Sequence, residues 1–192
     1  MAEIPIVDEL DNVLYYKERN EITLEEIYRV SACWIMNPQW DILLAQRAFT
    51  KKTNPWKWWP AVAWTVTWKE TYLENILQEI QEEIGICIVE SDLEVWPHEL
   101  REGIRTYYRQ WYFLILDLTI SAFTIQVEEV EALMRISQKE LNEKIGNTPW
   151  MFSSSILKRK SLFEEYIEEK LRVDTIFEKP VAIDDVLTEL EK

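Results

Sequence analysis

Glycine is almost missing from this chain. Its 192 residues include 3 glycines, where average usage of about 7% would supply about 13. Left-handed turns, which suit glycine, therefore have few residues to occupy them. Histidine occurs once, as His98, so a site built from several imidazoles is excluded. Cysteine occurs twice. Cys33 and Cys87 each lie in an apolar run and read as reduced core thiols, which argues against a disulfide framework. No run of about 18 apolar residues exists, so no membrane span is expected. The segment MAEIPIVDELD lacks the basic-then-apolar layout of a signal peptide, and a cytoplasmic location is expected.

What is present is acid and tryptophan. The net charge of −14 argues against a general nucleic-acid-binding surface. It leaves room for a locally acidic site that holds divalent cations. With 47% apolar residues, the chain can bury a core of its own, and its length suits one domain. Tryptophan, usually among the rarest residues, occurs 10 times.

IPIVDELDNVLYYKE reads as a strand pair turning at Asp11-Asn12. ITLEEIYRV reads as a short helical turn with Thr23 as N-cap, leading into a strand. VSACWIM and ILLAQRAF read as a hairpin around Asn37 to Asp41, with Trp40 in the tightest part of the turn. AVAWTVTW is a further strand. YLENILQEIQEEIGI is the strongest helix, with Leu73, Leu77, Ile80 and Ile84 on one stripe and Gly85 as its stop. Two more strands follow, in TYYRQWYFLILDLTI and EEVEALMRIS. SQKELNEKI is a helix opened by a Ser137/Glu140 capping box, and SILKRKSLFEEYIEEKLRV is an amphipathic helix. His98 falls on an expected surface loop. The acidic stretch from Asp174 to Lys192 reads as helix or loose end.

On the strong helix, spacings of three and four put Glu79 on one face with Glu82 and Glu83, opposite the apolar stripe. Carboxylates on adjacent turns repel unless a cation sits between them, and an oxygen-preferring ion such as Mg²⁺ or Mn²⁺ suits that place. A solvated acidic face is the alternative.

The surrounding residues go further. From Trp64 to Ile86 the chain resembles the Nudix box of the Nudix hydrolase superfamily, G-x5-E-x7-R-E-U-x-E-E-x-G-U, where U is a bulky aliphatic. Glu70, Glu79, Ile80, Glu82, Glu83, Gly85 and Ile86 fall on its E, E, U, E, E, G and U. Trp64 stands where the box has Gly, and Gln78 where it has Arg. The resemblance implies an α/β (α+β) fold, an α/β/α sandwich with a mixed central sheet. It implies a single domain over residues 1–192, with a core at about 28–145, an N-terminal hairpin at 1–27 and C-terminal helices at about 137–192. It further implies hydrolysis of a nucleoside-diphosphate-X or related small diphosphate, with Mg²⁺ or Mn²⁺ held by Glu79, Glu82 and Glu83. Glu83 is the first choice of base and Glu129 the outside one, with a charged strand edge as the plainer reading of Glu129. A homodimer is a further expectation.

The opening VDELDNVLYYKERNE and LLAQRAFTKK followed by NPWKW are similar to the branch that contains isopentenyl diphosphate isomerases and related Nudix hydrolases. That similarity implies diphosphate contacts from Arg47 and Lys51. The isomerases bind metal through several histidines, which disfavours isomerase activity here. A non-catalytic Nudix binding domain is a rival, supported by Gln78, because the box Arg normally orients the glutamates.

Against the family pattern, Trp40, Trp56, Trp59, Trp64, Trp68 and Trp150 occupy turn or box positions where glycine is common. Trp96 is equivocal. Trp34, Trp58 and Trp111 sit where an aromatic is ordinary. UGA codons that mean Gly in the source lineage, translated as Trp, would give this pattern. Deliberate redesign and an aromatic interaction surface are the competing explanations.

Overall fold

The computed structural model describes residues 3–177, with side chains to residue 172. It divides into two compact units, one up to Lys158 and the other from Arg159. The first opens with strands β1 (Glu3–Val7) and β2 (Val13–Glu18), paired antiparallel. The turn between them is held by the Asp8 carboxylate, which accepts from the Leu10 and Asn12 amides at 2.9 and 2.8 Å. Asp11 takes the left-handed backbone there, at φ 63°.

The sheet is built around β3 (Ile27–Met36), a buried ten-residue strand rich in the residues that favour extended chain. Along its whole length it pairs in parallel with β8 (Thr106–Ile115). Its other edge is shared antiparallel by β1, by β6 (Val62–Thr65) and by β4 (Ile42–Arg47). β4 carries β5 (Trp58–Pro60) and β9 (Val130–Ile136), and β7 (Leu93–Arg101) flanks β8.

Three helices complete the described chain. They are α1 (Tyr72–Ile84), α2 (Gln138–Asn147) and α3 (Ser154–Phe177). The expected α+β class with a mixed sheet is the one observed. Side chains alternate across β3. Cys33 and Ile35 form one apolar cluster with Ile76, Ile80 and Ile84 of α1, while Trp34 stacks on Trp111 at 5.8 Å, both fully buried. In the second unit, helical ion pairs link Lys160 to Glu164 at 3.5 Å and Arg172 to Glu168 at 3.7 Å.

Several expectations are corrected. Thr23 caps no helix, because its amide donates to the Glu26 carboxylate at 2.6 Å in a turn that leads directly into β3. His98 lies in β7, not on a loop, beside the irregularity between Val95 and His98 that Pro97 imposes by having no amide to donate. AVAWTVTW breaks after Thr65, where the chain leaves the sheet for a turn. Cys33 is buried but Cys87 is exposed, because it follows the helix stop at Gly85 and enters a surface segment. The stretch from residue 178 onward lies outside the described residues.

Candidate active site

Helix α1 is fixed at both ends. Thr71 accepts from the Glu74 amide at 3.1 Å, and the Glu74 carboxylate accepts from the Thr71 amide at 2.8 Å, a reciprocal cap. At the other end Gly85 takes the left-handed backbone, φ 73°. A Cβ there would meet the Thr124 carbonyl oxygen at 2.9 Å, so glycine is required for space as well as for φ. That close approach lets the Thr124 and Gln126 amides donate to the Ile84 and Glu83 carbonyls, both at 3.0 Å. Gln126 in turn accepts from the Glu129 amide at 2.9 Å. The segment that closes the helix therefore also sets Glu129 beside Glu83.

The burial of α1 corrects the expected acidic face. Glu79 and Glu83 are buried, and Glu82 is exposed. Glu79 follows Ile76 by three residues and Glu83 follows Ile80 by three, so both lie beside the buried isoleucines rather than opposite them. Burial, with further repulsion from Glu82, Glu70 and Glu129, pushes the Glu79 carboxyl up to about 8. Burial and then Glu79 hold Glu83 well above the usual carboxylate range. Gln78 donates to the Glu82 carboxylate at 2.7 Å. Glu70 sits before the helix and accepts from the Thr67 amide at 2.9 Å and the Asn75 side chain at 3.0 Å, bracing the entry loop.

The two expected phosphate contacts lie nearby. Arg47 ends β4 at a register shift, donates to the Thr53 carbonyl at 3.0 Å, and has its guanidinium 5.9 Å from the Trp59 ring. Lys51 makes an ion pair with Glu129, and its ammonium lies 5.7 Å from the Trp64 ring. Arg47, Glu83, Glu129 and Trp59 line one small cavity of about 50 Å³. Arg47, Trp59 and Ala63 also line a larger neighbouring cavity of about 460 Å³.

The donor chemistry fits a hard divalent cation. The Glu79 and Glu83 carboxylates accept no hydrogen bond and form no ion pair among the described residues, and Glu129 Oε2 is buried without a hydrogen-bond partner. Such oxygens are costly to bury unless something positive meets them. Among the described residues no three acidic, histidine or cysteine side chains are already gathered at metal-ligand distances.

Sequence reasoning did not find the Lys51–Glu129 pair, the Thr124–Gln126 closure or the larger cavity. Each joins residues remote in the chain. His98 lines neither cavity. It stacks on Tyr108 at 4.9 Å and lies 3.2 Å from the Asp11 carboxylate, which also accepts from Arg29.

A mixed sheet carrying a glycine-stopped helix with buried glutamates defines an α+β domain with an acidic helix at its site. The model of the NUDIX domain matches residues 27–153, and the chain belongs to that family. Solved structures share the fold. DR0079 from Deinococcus radiodurans superposes with a TM-score of 0.63 at 20% identity, covering 76% of this chain and 90% of that one. The MutT protein from Methanosarcina mazei Go1 gives 0.56 at 19% identity, with coverage of 74% and 94%. The NUDIX domain of Shewanella oneidensis NrtR, solved with ADP ribose, gives 0.57 at 12% identity, with coverage of 80% and 93%. No curated protein matches the sequence.

Proposed function

We propose that this chain is a Mg²⁺- or Mn²⁺-dependent hydrolase that cleaves the diphosphate bond of a nucleoside-diphosphate-X or related small diphosphate. The observation that carries this reading is the convergence of Glu83, Glu129 and Arg47 on one small cavity, with Glu79 a turn earlier on the same helix. Glu79, Glu82 and Glu83 would hold the cation. Once bound, it would neutralise the diphosphate and acidify the attacking water. Arg47 offers a planar fork to phosphate oxygens and Lys51 a point charge. Glu83 serves as the base that takes the water's proton, with Glu129 as the alternative once Lys51 turns to substrate. Gln78 holds Glu82 as an amide where the family's Arg would hold it as a cation. The isomerase-like alternative has little support, because His98 is the one histidine and is engaged elsewhere.

The test is Mg²⁺-dependent phosphate release over a panel of nucleotides and organic diphosphates. Glu83→Gln should lower kcat by ~10²–10⁴-fold, the range for loss of a positioned base. Binding without turnover throughout the panel would favour a non-catalytic Nudix domain.

We also infer that Trp40, Trp56, Trp59, Trp64, Trp68 and Trp150 stand where the natural polypeptide carries glycine. The support is conformational at two of them. Trp40 has φ 66° and Trp56 φ 63°, a region that bulky residues rarely adopt. Trp59 and Trp64 lie in strands. Trp68 precedes Lys69, which takes φ 63° in its stead. UGA codons at the six positions, with UGG at Trp34, Trp58 and Trp111, are the expected result. UGG throughout would sink the idea. Panel activity is to be read in the glycine-restored chain as well, because Trp64 and Trp68 lie just before α1.

A further inference from the structure

The larger cavity has a composition at odds with the chain around it. In a protein of net charge −14, its lining includes Arg19, Arg47, Arg105 and Arg109 and no Asp or Glu. The floor is one sheet face, since Tyr28 and Val30 of β3 are register partners of Tyr107 and Arg109 of β8. Arg19, from the short 3₁₀ turn after β2, and Arg105, just before β8, reach it from the rim.

Among the described residues, the contacts of Arg19, Arg47 and Arg105 are to rings and backbone carbonyls rather than to carboxylates. The Arg19 guanidinium lies 5.0 Å from the Trp64 ring. Arg105 donates to the Ile22 carbonyl at 3.2 Å. Arg19, Arg47 and Arg105 form no ion pair among the described residues. No Asp or Glu lines the cavity, and like charges gathered there call for an anion. Arg47 is shared with the cavity of Glu83 and Glu129, so it is committed to the diphosphate in the reading above. Arg19 and Arg105 remain, and neither lines the glutamates' cavity. Tyr28 and Tyr107, whose rings lie 5.4 Å apart, supply ring faces in the same space whether or not Trp59 and Trp64 are glycine. About 460 Å³ is within the range of small-molecule sites.

We propose that this cavity holds the distal part of the ligand, and that this part carries a phosphate of its own beside a planar ring. The substrate class is thus a nucleotide-like diphosphate with at least one further phosphate away from the bond that is cut. A phosphate matches this wall because guanidinium forks grip its oxygens in pairs and more than one fork can engage it at once. As a statement about substrate, this rests on the hydrolase reading. As a statement about binding, it stands alone.

The test is equilibrium binding to the whole chain in EDTA, followed by tryptophan fluorescence, with adenosine 3′,5′-bisphosphate and AMP as probes. The bisphosphate should bind at least about tenfold tighter, close to 1.4 kcal/mol. The Arg19→Gln/Arg105→Gln double variant should bring it down to the affinity of AMP while leaving AMP within about twofold. Both residues are exposed, and each single variant should show part of the loss, which keeps the test valid should the double variant misfold. Equal affinity for the two probes, or a preference that survives both substitutions, overturns the assignment. Turnover plays no part in this measurement. A preference without hydrolysis in the panel overturns only the enzymatic reading, and hydrolysis without a preference overturns only this subsite.

Discussion

At Trp40 and Trp56 the backbone does what glycine does freely and an indole-bearing residue does at a cost. The left-handed conformation costs an L-residue roughly 1–2 kcal/mol. Trp56 is exposed and its ring meets Phe49 at 5.7 Å, so its removal sacrifices little packing. Trp40→Gly and Trp56→Gly should therefore each raise stability by about 1 kcal/mol, net of the added chain entropy of glycine. The denaturation midpoint checks this, and a fall at both positions would contradict it. That Trp40 occupies a tight turn was legible from Asn37-Pro38 before it and Asp41 after it. The state of the box glutamates was not. Spacing alone put all three opposite the apolar stripe, whereas Glu79 and Glu83 are buried beside it and Glu82 is exposed, because burial depends on which side of α1 meets the sheet.

Among the elements, those with local chemistry were the legible ones. The Ser137/Glu140 box starts α2 as expected, with the Ser137 hydroxyl accepting from the Glu140 amide at 3.3 Å. Gly85 stops α1 for the same local reason. Thr23 misled because its surroundings carry the same acidic signature as a helix start, yet here the carboxylate of Glu26 closes a turn instead. That turn makes a prediction. Glu26 accepts from the Thr23 amide, from Lys17 at 3.0 Å and from Tyr15 at 2.8 Å, and its carboxyl is held down at about 2, chiefly by the Thr23 amide, against an ordinary 4.5. A depressed carboxyl stabilises the fold above its ordinary value, and the contribution fades as pH falls from about 4.5 toward about 2. Glu26→Gln should therefore lower the melting temperature near neutral pH, with the gap to the parent closing toward pH 2. A gap that is the same at both ends would rule out the linkage. β7 was missed because Pro97 and its exposed, polar neighbours read as loop, whereas pairing with β8 holds it in the sheet.

At the scale of the molecule, the acidic balance and the buried glutamates together predict a response to metal. A cation bound only by the folded state raises stability in proportion to the logarithm of its concentration over Kd. Mg²⁺ should raise the melting temperature beyond what NaCl of equal ionic strength does, and Glu79→Gln/Glu83→Gln should remove that excess while leaving the salt effect. An excess undiminished in the variant would move the metal elsewhere on this acidic surface. The sequence by itself determined the α+β class, the glutamate-bearing helix with both its ends, and the family, since these follow from periodicity, caps and a motif contiguous in the chain. Only the tertiary structure decided that Glu79 and Glu83 are buried, that Lys51 meets Glu129, and that arginines from distant turns share one cavity without an acid. Those are contacts across long separations, and they exist only once β3 has gathered its partners around it.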